Sequence, residues 1–174
     1  MCRIIFVILL SIGFLCGFGR SNAPINNSAI DPNDCNCHKM NKDGVVVFQC
    51  QTLPVANDNT IQVGLGVGSV NNSPYVSVTI RFKDTAIELD KSFELHLWLD
   101  NGNIVDLQYL NGGLAQMGNS QVAQGIFPLN SGQLIKLKAS NIKVVAIKLT
   151  DGLRRSYQVK MNPSLLSDQL KCLD

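Results

Sequence analysis

Two groups of residues combine types and spacings that could do chemistry. The first is Cys35-Asn36-Cys37-His38, two thiols and an imidazole in consecutive reach, with Cys50 and Cys172 further along. Thiolates and a neutral imidazole are soft ligands, so Cys35, Cys37 and His38 form a candidate copper(I) or zinc site, with Cys50 as a further ligand. Structural zinc sites use wider cysteine spacing, however. An even set of cysteines in an exported chain reads first as disulfides, here Cys35, Cys37, Cys50 and Cys172 in any of three connectivities. Cys35 and Cys37 are too close in sequence to bridge each other well. If Asp43-Gly44 is a two-residue hairpin turn, Cys37 lies opposite Cys50 within bridging range, and Cys35 is left for Cys172. Closing that long loop would contribute about 4–5 kcal/mol in the entropic account.

The second group is Glu94, His96, Trp98 and Asp106. An indole flanked by carboxylates on an exposed sheet suits a sugar, because the ring stacks on a pyranose face while polar neighbours take hydroxyls. The competing reading is ordinary cross-strand pairing on a solvated face. As catalysts these residues are less complete. A His–Asp pair needs a nucleophile, and no Ser, Thr or Cys stands at a recognisable spacing from His96. Glu94 and Asp106 would serve as paired glycosidase carboxylates only if held at the right separation.

Gly64, Gly66 and Gly68 alternate with Val63, Leu65 and Val67. A dinucleotide fingerprint would need glycine where Ser69 stands, so this is no phosphate loop. Alternating glycines strip one strand face of side chains, which suits a tightly covered strand, or a flat face open to another chain. Asn26-Asn27-Ser28 and Asn71-Asn72-Ser73 are glycosylation sequons, relevant only in a eukaryotic secretory pathway.

The elements that must position these residues are strands. Val76, Val78, Ile80 and Phe82 alternate with polar residues, as do Phe93, Leu95, Leu97 and Leu99. Period two over four repeats marks a strand with one buried face. Further strands are expected at 45–52, 61–67, 104–109, 121–128, 143–149 and 154–161. Seven or eight short strands at this spacing predict an all-β fold, an antiparallel β-sandwich, Ig-like or related.

Turn chemistry sets one register. A two-residue Asn101-Gly102 loop would place Leu97 across from Asp106. A three-residue loop with Gly102 left-handed pairs Leu97 with Val105 and Leu95 with Leu107, and the hydrophobic pattern selects it. His96 then faces Asp106, and Trp98 sits beside Ile104. Thr150-Asp151-Gly152 is expected to join Leu149 to Leu153 in the same way, which is an argument against the two-residue turn at Asp43-Gly44. A short C-terminal helix is expected from an Asn162 cap with Pro163 in its first position, carrying Leu166, Leu170 and Leu173. A helical turn is expected at 133–139.

Composition bounds the class. The 174 residues fit one domain with its own core. Arg3 and the uncharged run at 4–16 read as a signal peptide over residues 1–19, too short to span a membrane. Leu15 before Cys16 is a poor lipoprotein signal. Residues 20–34, polar with two prolines, read as a flexible leader, and 35–174 as a single domain. The formal charge is +2 and Arg154-Arg155 is the sole basic doublet, which argues against nucleic acid as a partner.

Strand, Asn-Gly turn, strand, Leu-rich turn, an Ile142-Lys143-x-x-x-Ile147 strand, Asp-Gly turn, strand and a terminal helix ending Lys171-Cys172-Leu173 form a pattern. Over residues 93–174 it is similar to exported bacterial β-sandwich proteins of uncharacterised activity. The resemblance implies a fold and a compartment (periplasmic, cell-surface or secreted) and no catalytic residues. The expectation is therefore an exported domain without a cofactor that binds a carbohydrate or a protein, or serves a structural interaction. Soft-metal binding at Cys35, Cys37 and His38 is the alternative, and a hydrolase around His96 is a third.

Overall fold

The structure is a computed structural model that describes residues 36–58, 61–82, 92–117, 120–148 and 154–173. The expected signal peptide, the leader, Cys35 and the turn at 150–152 lie outside the described residues. All the described residues belong to one compact unit, Pro32–Asp174.

Among the described residues eleven strands occur: β1 Cys37–Lys42, β2 Val45–Cys50, β3 Leu53–Asn57, β4 Ile61–Val70, β5 Ser73–Phe82, β6 Glu94–Leu99, β7 Ile104–Gln108, β8 Asn111–Met117, β9 Ser120–Pro128, β10 Ile142–Lys148 and β11 Arg154–Gln158. Two short helices, α1 Ser131–Lys138 and α2 Leu165–Lys171, complete the described chain. One sheet has the order β1-β2-β4-β5-β9-β8, with β3 continuing the line of β2 along β4; the other is β11-β10-β6-β7. Every ladder is antiparallel. This is the all-β sandwich that the alternation predicts.

The core is formed by the facing halves of the alternating patterns. Val63, Leu65, Val67, Val76, Val78, Ile80 and Phe127 from the larger sheet meet Phe93, Leu95, Leu97, Val105, Leu107, Val145 and Ile147 from the smaller. Each such side chain contributes about 1.5–3 kcal/mol on full burial. Tyr109 packs edge-on against Phe93 and Phe127, which are tilted against each other, with ring centroids 5.6–6.4 Å apart.

Three strands, β1, β3 and β8, exceed the expected seven or eight. Each hides from a period-two reading. β1 is a polar edge strand, β3 carries Pro54 and a register shift before Ala56, and β8 contains Gly112-Gly113. The glycines of β4 are covered. Thr52 lies against Gly64 and Gly66, and the Tyr75 ring lies over Gly68, where a Cβ would collide with it. That burial pushes the Tyr75 phenol up to about 12.

Both helices depart from expectation at their starts. α1 begins earlier because Asn130 and Gln133 form a reciprocal capping box, each side chain accepting from the other's backbone N–H at 2.9 and 2.8 Å. α2 begins after Ser164, so Asn162 is not its cap. Asn162 instead takes a left-handed φ of 48° and donates through Nδ2 to the Pro54 carbonyl at 2.9 Å. Leu166 and Leu170 are buried as the apolar stripe requires, together with Leu165.

Candidate functional site

The β6–β7 hairpin turns through three residues, Asp100 to Gly102, with Gly102 at φ 83°. Leu99 closes it by donating to Asn103 O at 2.9 Å, and Gly102 N–H donates back to Leu99 O at 3.0 Å. The register is the one the hydrophobic pattern selects: Leu95 with Leu107, His96 with Asp106, Leu97 with Val105, Trp98 with Ile104. Glu94, His96, Trp98 and Asp106 therefore share the outer face of the four-stranded sheet.

Next to β6 on that face, β10 places Lys148 opposite Glu94, Ala146 opposite His96 and Val144 opposite Trp98. β11 then sets Arg154 opposite Lys148. The result is a face with two halves. One half is a chain of charges. Asp106 Oδ1 lies 2.5 Å from His96 Nδ1, and His96 Nε2 lies 3.2 Å from both Glu94 Oε2 and Arg154 Nη2. Lys148 Nζ donates to Glu94 Oε1 at 2.8 Å. The other half is apolar, with Trp98 and Ile104 side by side at 45% and 48% exposure and Val144 buried next to Trp98.

The charge chain has defined electrostatics. Lys148, chiefly through its hydrogen bond, holds the Glu94 carboxyl below its ordinary value, and His96 adds to this. His96 Nε2 cannot serve Glu94 and Arg154 at once. With the proton on Nδ1 alone, that N–H donates to Asp106 and the bare Nε2 accepts from Arg154. The doubly protonated ring donates to both carboxylates and repels the guanidinium. Asp106 stays open to solvent, its side chain 68% exposed. α1 steadies the strand beneath it, since Gln133 Nε2 donates to Asp106 O at 2.7 Å.

No hydroxyl or thiol among the described residues hydrogen-bonds to His96. Ser156, on the same face, is separated from it by Ala146 of β10. Sequence reasoning missed Lys148 and Arg154. Their strands were legible, but their place beside Glu94 and His96 depends on a β6–β10 pairing that no local pattern encodes.

The cysteine segment resolves differently. Asp43 and Gly44 both adopt left-handed φ, 54° and 79°, forming the tight two-residue turn after all. Lys42 pairs with Val45, Cys37 stands opposite Cys50, and the two are disulfide-bonded. This corrects the soft-metal set of Cys35, Cys37 and His38. The Cys37 sulfur is spent in a covalent bond, and His38, its neighbour on a strand, points to the opposite face. Among the described residues no cluster of His, Cys, Asp and Glu is arranged to hold a metal ion. Cys172 is disulfide-bonded as well; its expected pairing with Cys35 lies outside the described residues.

Comparison of the chain with protein-family models, with curated proteins and with solved structures finds no match in any of the three.

Proposed function

We propose that this is an exported binding protein that does not turn its ligand over, and that the outer face of the four-stranded sheet is its contact surface. The observation that carries this reading is the exposed Trp98–Ile104 pair set directly beside the Asp106–His96–Glu94–Lys148–Arg154 row. Large apolar side chains on a solvated face are costly unless something covers them, and an indole bordered by fixed charges suits a ligand with one apolar and one hydroxyl-bearing side. Carbohydrate is the class that fits: a pyranose stacks on Trp98 while Asp106 and Arg154 take its hydroxyls. A protein partner is the second class, because Trp and Arg also anchor protein interfaces.

Export is supported by the basic-then-apolar start of the chain, by oxidised Cys37, Cys50 and Cys172, and by the resemblance of residues 93–174 to exported bacterial sandwiches. No helix among the described residues is long and apolar enough to cross a membrane. Against catalysis stands the occupation of both His96 nitrogens by charged neighbours, with no nucleophile in contact.

Trp98 is the only tryptophan in the chain, so its fluorescence reports on this face alone. Titration with a panel of soluble glycans should give a saturable quench or blue shift with at least one of them, and Asp106→Asn should weaken it. Silence across the panel rejects the carbohydrate class. A hydrolytic activity removed by His96→Ala with the fold intact would replace binding by catalysis.

A further inference from the structure

We propose that β8 is an association edge, and that it pairs antiparallel with β8 of a second copy of this chain to make one continuous sheet across a two-fold axis. A sheet edge displays unpaired backbone N–H and C=O groups, and native proteins protect such edges with charges, bends or covering elements. Every other edge among the described residues has such a device. β1 carries His38 and Lys39, and β11 carries Arg154 and Arg155. β7 carries Asp106 and has its carbonyl there taken by Gln133 of α1. The outer side of β3 is covered where Val55 O accepts from Lys160 N–H at 3.2 Å.

β8 has none of these. Its seven residues, Asn-Gly-Gly-Leu-Ala-Gln-Met, contain no charge and no proline, and neither does any residue from 107 to 127 carry a charge or a proline ring. Among the described residues β8 pairs only with β9. The one local device is Asn111 Oδ1, which takes the Gly112 N–H at 2.9 Å. Leu114, on the core-facing side opposite Ala123, remains 43% exposed at the rim of the sandwich, and Leu110 just before the strand is 52% exposed.

The missing charge identifies the occupant. When a strand pairs antiparallel with itself across a two-fold axis, the residues at the axis face their own copies, so a charge there meets its own sign. A neutral strand avoids that repulsion. It also offers nothing to attract a charged peptide. Pairing would bring the two Leu114 side chains onto the same face of the joined sheet and cover the rim that each leaves open.

Gly113 supplies the test. It lies on the outer face opposite Gln124, a Cβ there meets nothing within 4 Å, and its backbone is not left-handed. A lysine at this position therefore fits the monomer. The protein, purified with its disulfides intact, should sediment as a concentration-dependent dimer whose Kd is insensitive to salt. Gly113→Lys should weaken dimerisation at least tenfold with an unchanged circular dichroism spectrum, and Gly113→Ala should not. Ala115→Lys, on the same face, provides a second charged variant should the first fold poorly. A monomer at every accessible concentration overturns the proposal. So does dimerisation that survives both lysine variants, or that is weakened by salt or by Trp98→Ala, which would place the contact on the charged face.

Discussion

The Gln169 side chain of α2 occupies a gap in the hydrogen-bond ladder of β4, accepting from Val67 N–H at 2.9 Å through Oε1. Its Nε2 donates to Gln51 O at 2.8 Å. β2 pairs with β4 only as far as Gln49 opposite Gly68, and β3 takes over at Leu53 opposite Leu65. Between them the chain steps off the sheet at Gln51 and Thr52, leaving a buried donor on Val67 and a part-buried acceptor on Gln51. One primary amide, carrying both an acceptor and a donor, mimics the missing peptide unit.

Replacing Gln169 with Leu keeps the volume and removes both partners, so Val67 N–H is left unsatisfied in the interior while the part-buried Gln51 O loses its donor. A buried orphaned group costs about 1–3 kcal/mol. The Gln169→Leu protein is expected to lose about 1–3 kcal/mol in urea unfolding, and an unchanged stability would show that the amide is dispensable.

Cys37 and Cys50 are separated by 13 positions across the β1–β2 hairpin. A loop of this size restricts the unfolded chain by about 3 kcal/mol in the entropic account. Cys37→Ser, Cys50→Ser and the double variant should therefore share one stability loss of that order, because all three remove the same bond. Additive losses would mean that the two cysteines act separately.

The Glu94 carboxyl is held below its ordinary value of 4.5, chiefly by the Lys148 hydrogen bond. A depressed carboxyl contributes stability above its unfolded pKa, and the contribution disappears as pH falls through the folded pKa. Carboxyl titration followed by NMR should find Glu94 titrating below 4.5 in the native protein and moving upward in Lys148→Met. An unmoved value would assign the effect to His96 instead.

Tyr75 behaves with the opposite sense. Its phenol, buried over Gly68, is pushed from 10.0 up to about 12. A raised acid contributes stability that is complete below its unfolded pKa, here 10.0, and is lost as pH rises toward about 12. Ultraviolet titration should show a late-ionising tyrosine that Tyr75→Phe removes, along with part of the alkaline destabilisation over that window. Gly68→Ala, which pushes a methyl into the ring, should cost about 1–3 kcal/mol by forcing Tyr75 aside; a neutral effect would mean that the ring moves freely.

Local pattern determined much of this molecule. Period-two alternation marks β5 and β6, and short apolar runs between turn residues mark six more strands. Matching Leu95 and Leu97 to Leu107 and Val105 is enough to choose a three-residue turn, and with it to place His96 against Asp106 and Trp98 against Ile104. Those inferences succeed because a hairpin register depends on residues close in sequence, where one slip exposes the whole apolar face. The same preference, extended to Asp43-Gly44, pointed the wrong way: β1 carries too few apolar residues to constrain its register, and there the left-handed tolerance of Asp and Gly decided the turn.

Tertiary structure decided the rest. Lys148 reaches Glu94 from 54 positions away and Gln169 reaches Val67 from 102. Neither pairing leaves a local trace, since an exposed lysine and a helical glutamine look the same in sequence whatever they meet. β8 was invisible for a related reason: a glycine-rich edge strand has little apolar alternation to read, and its hydrogen bonds to β9 make it a strand only once β9 is in place. Sequence determined which faces are apolar, because side-chain hydration is a local property; the tertiary structure alone decided which faces, edges and orphaned backbone groups meet.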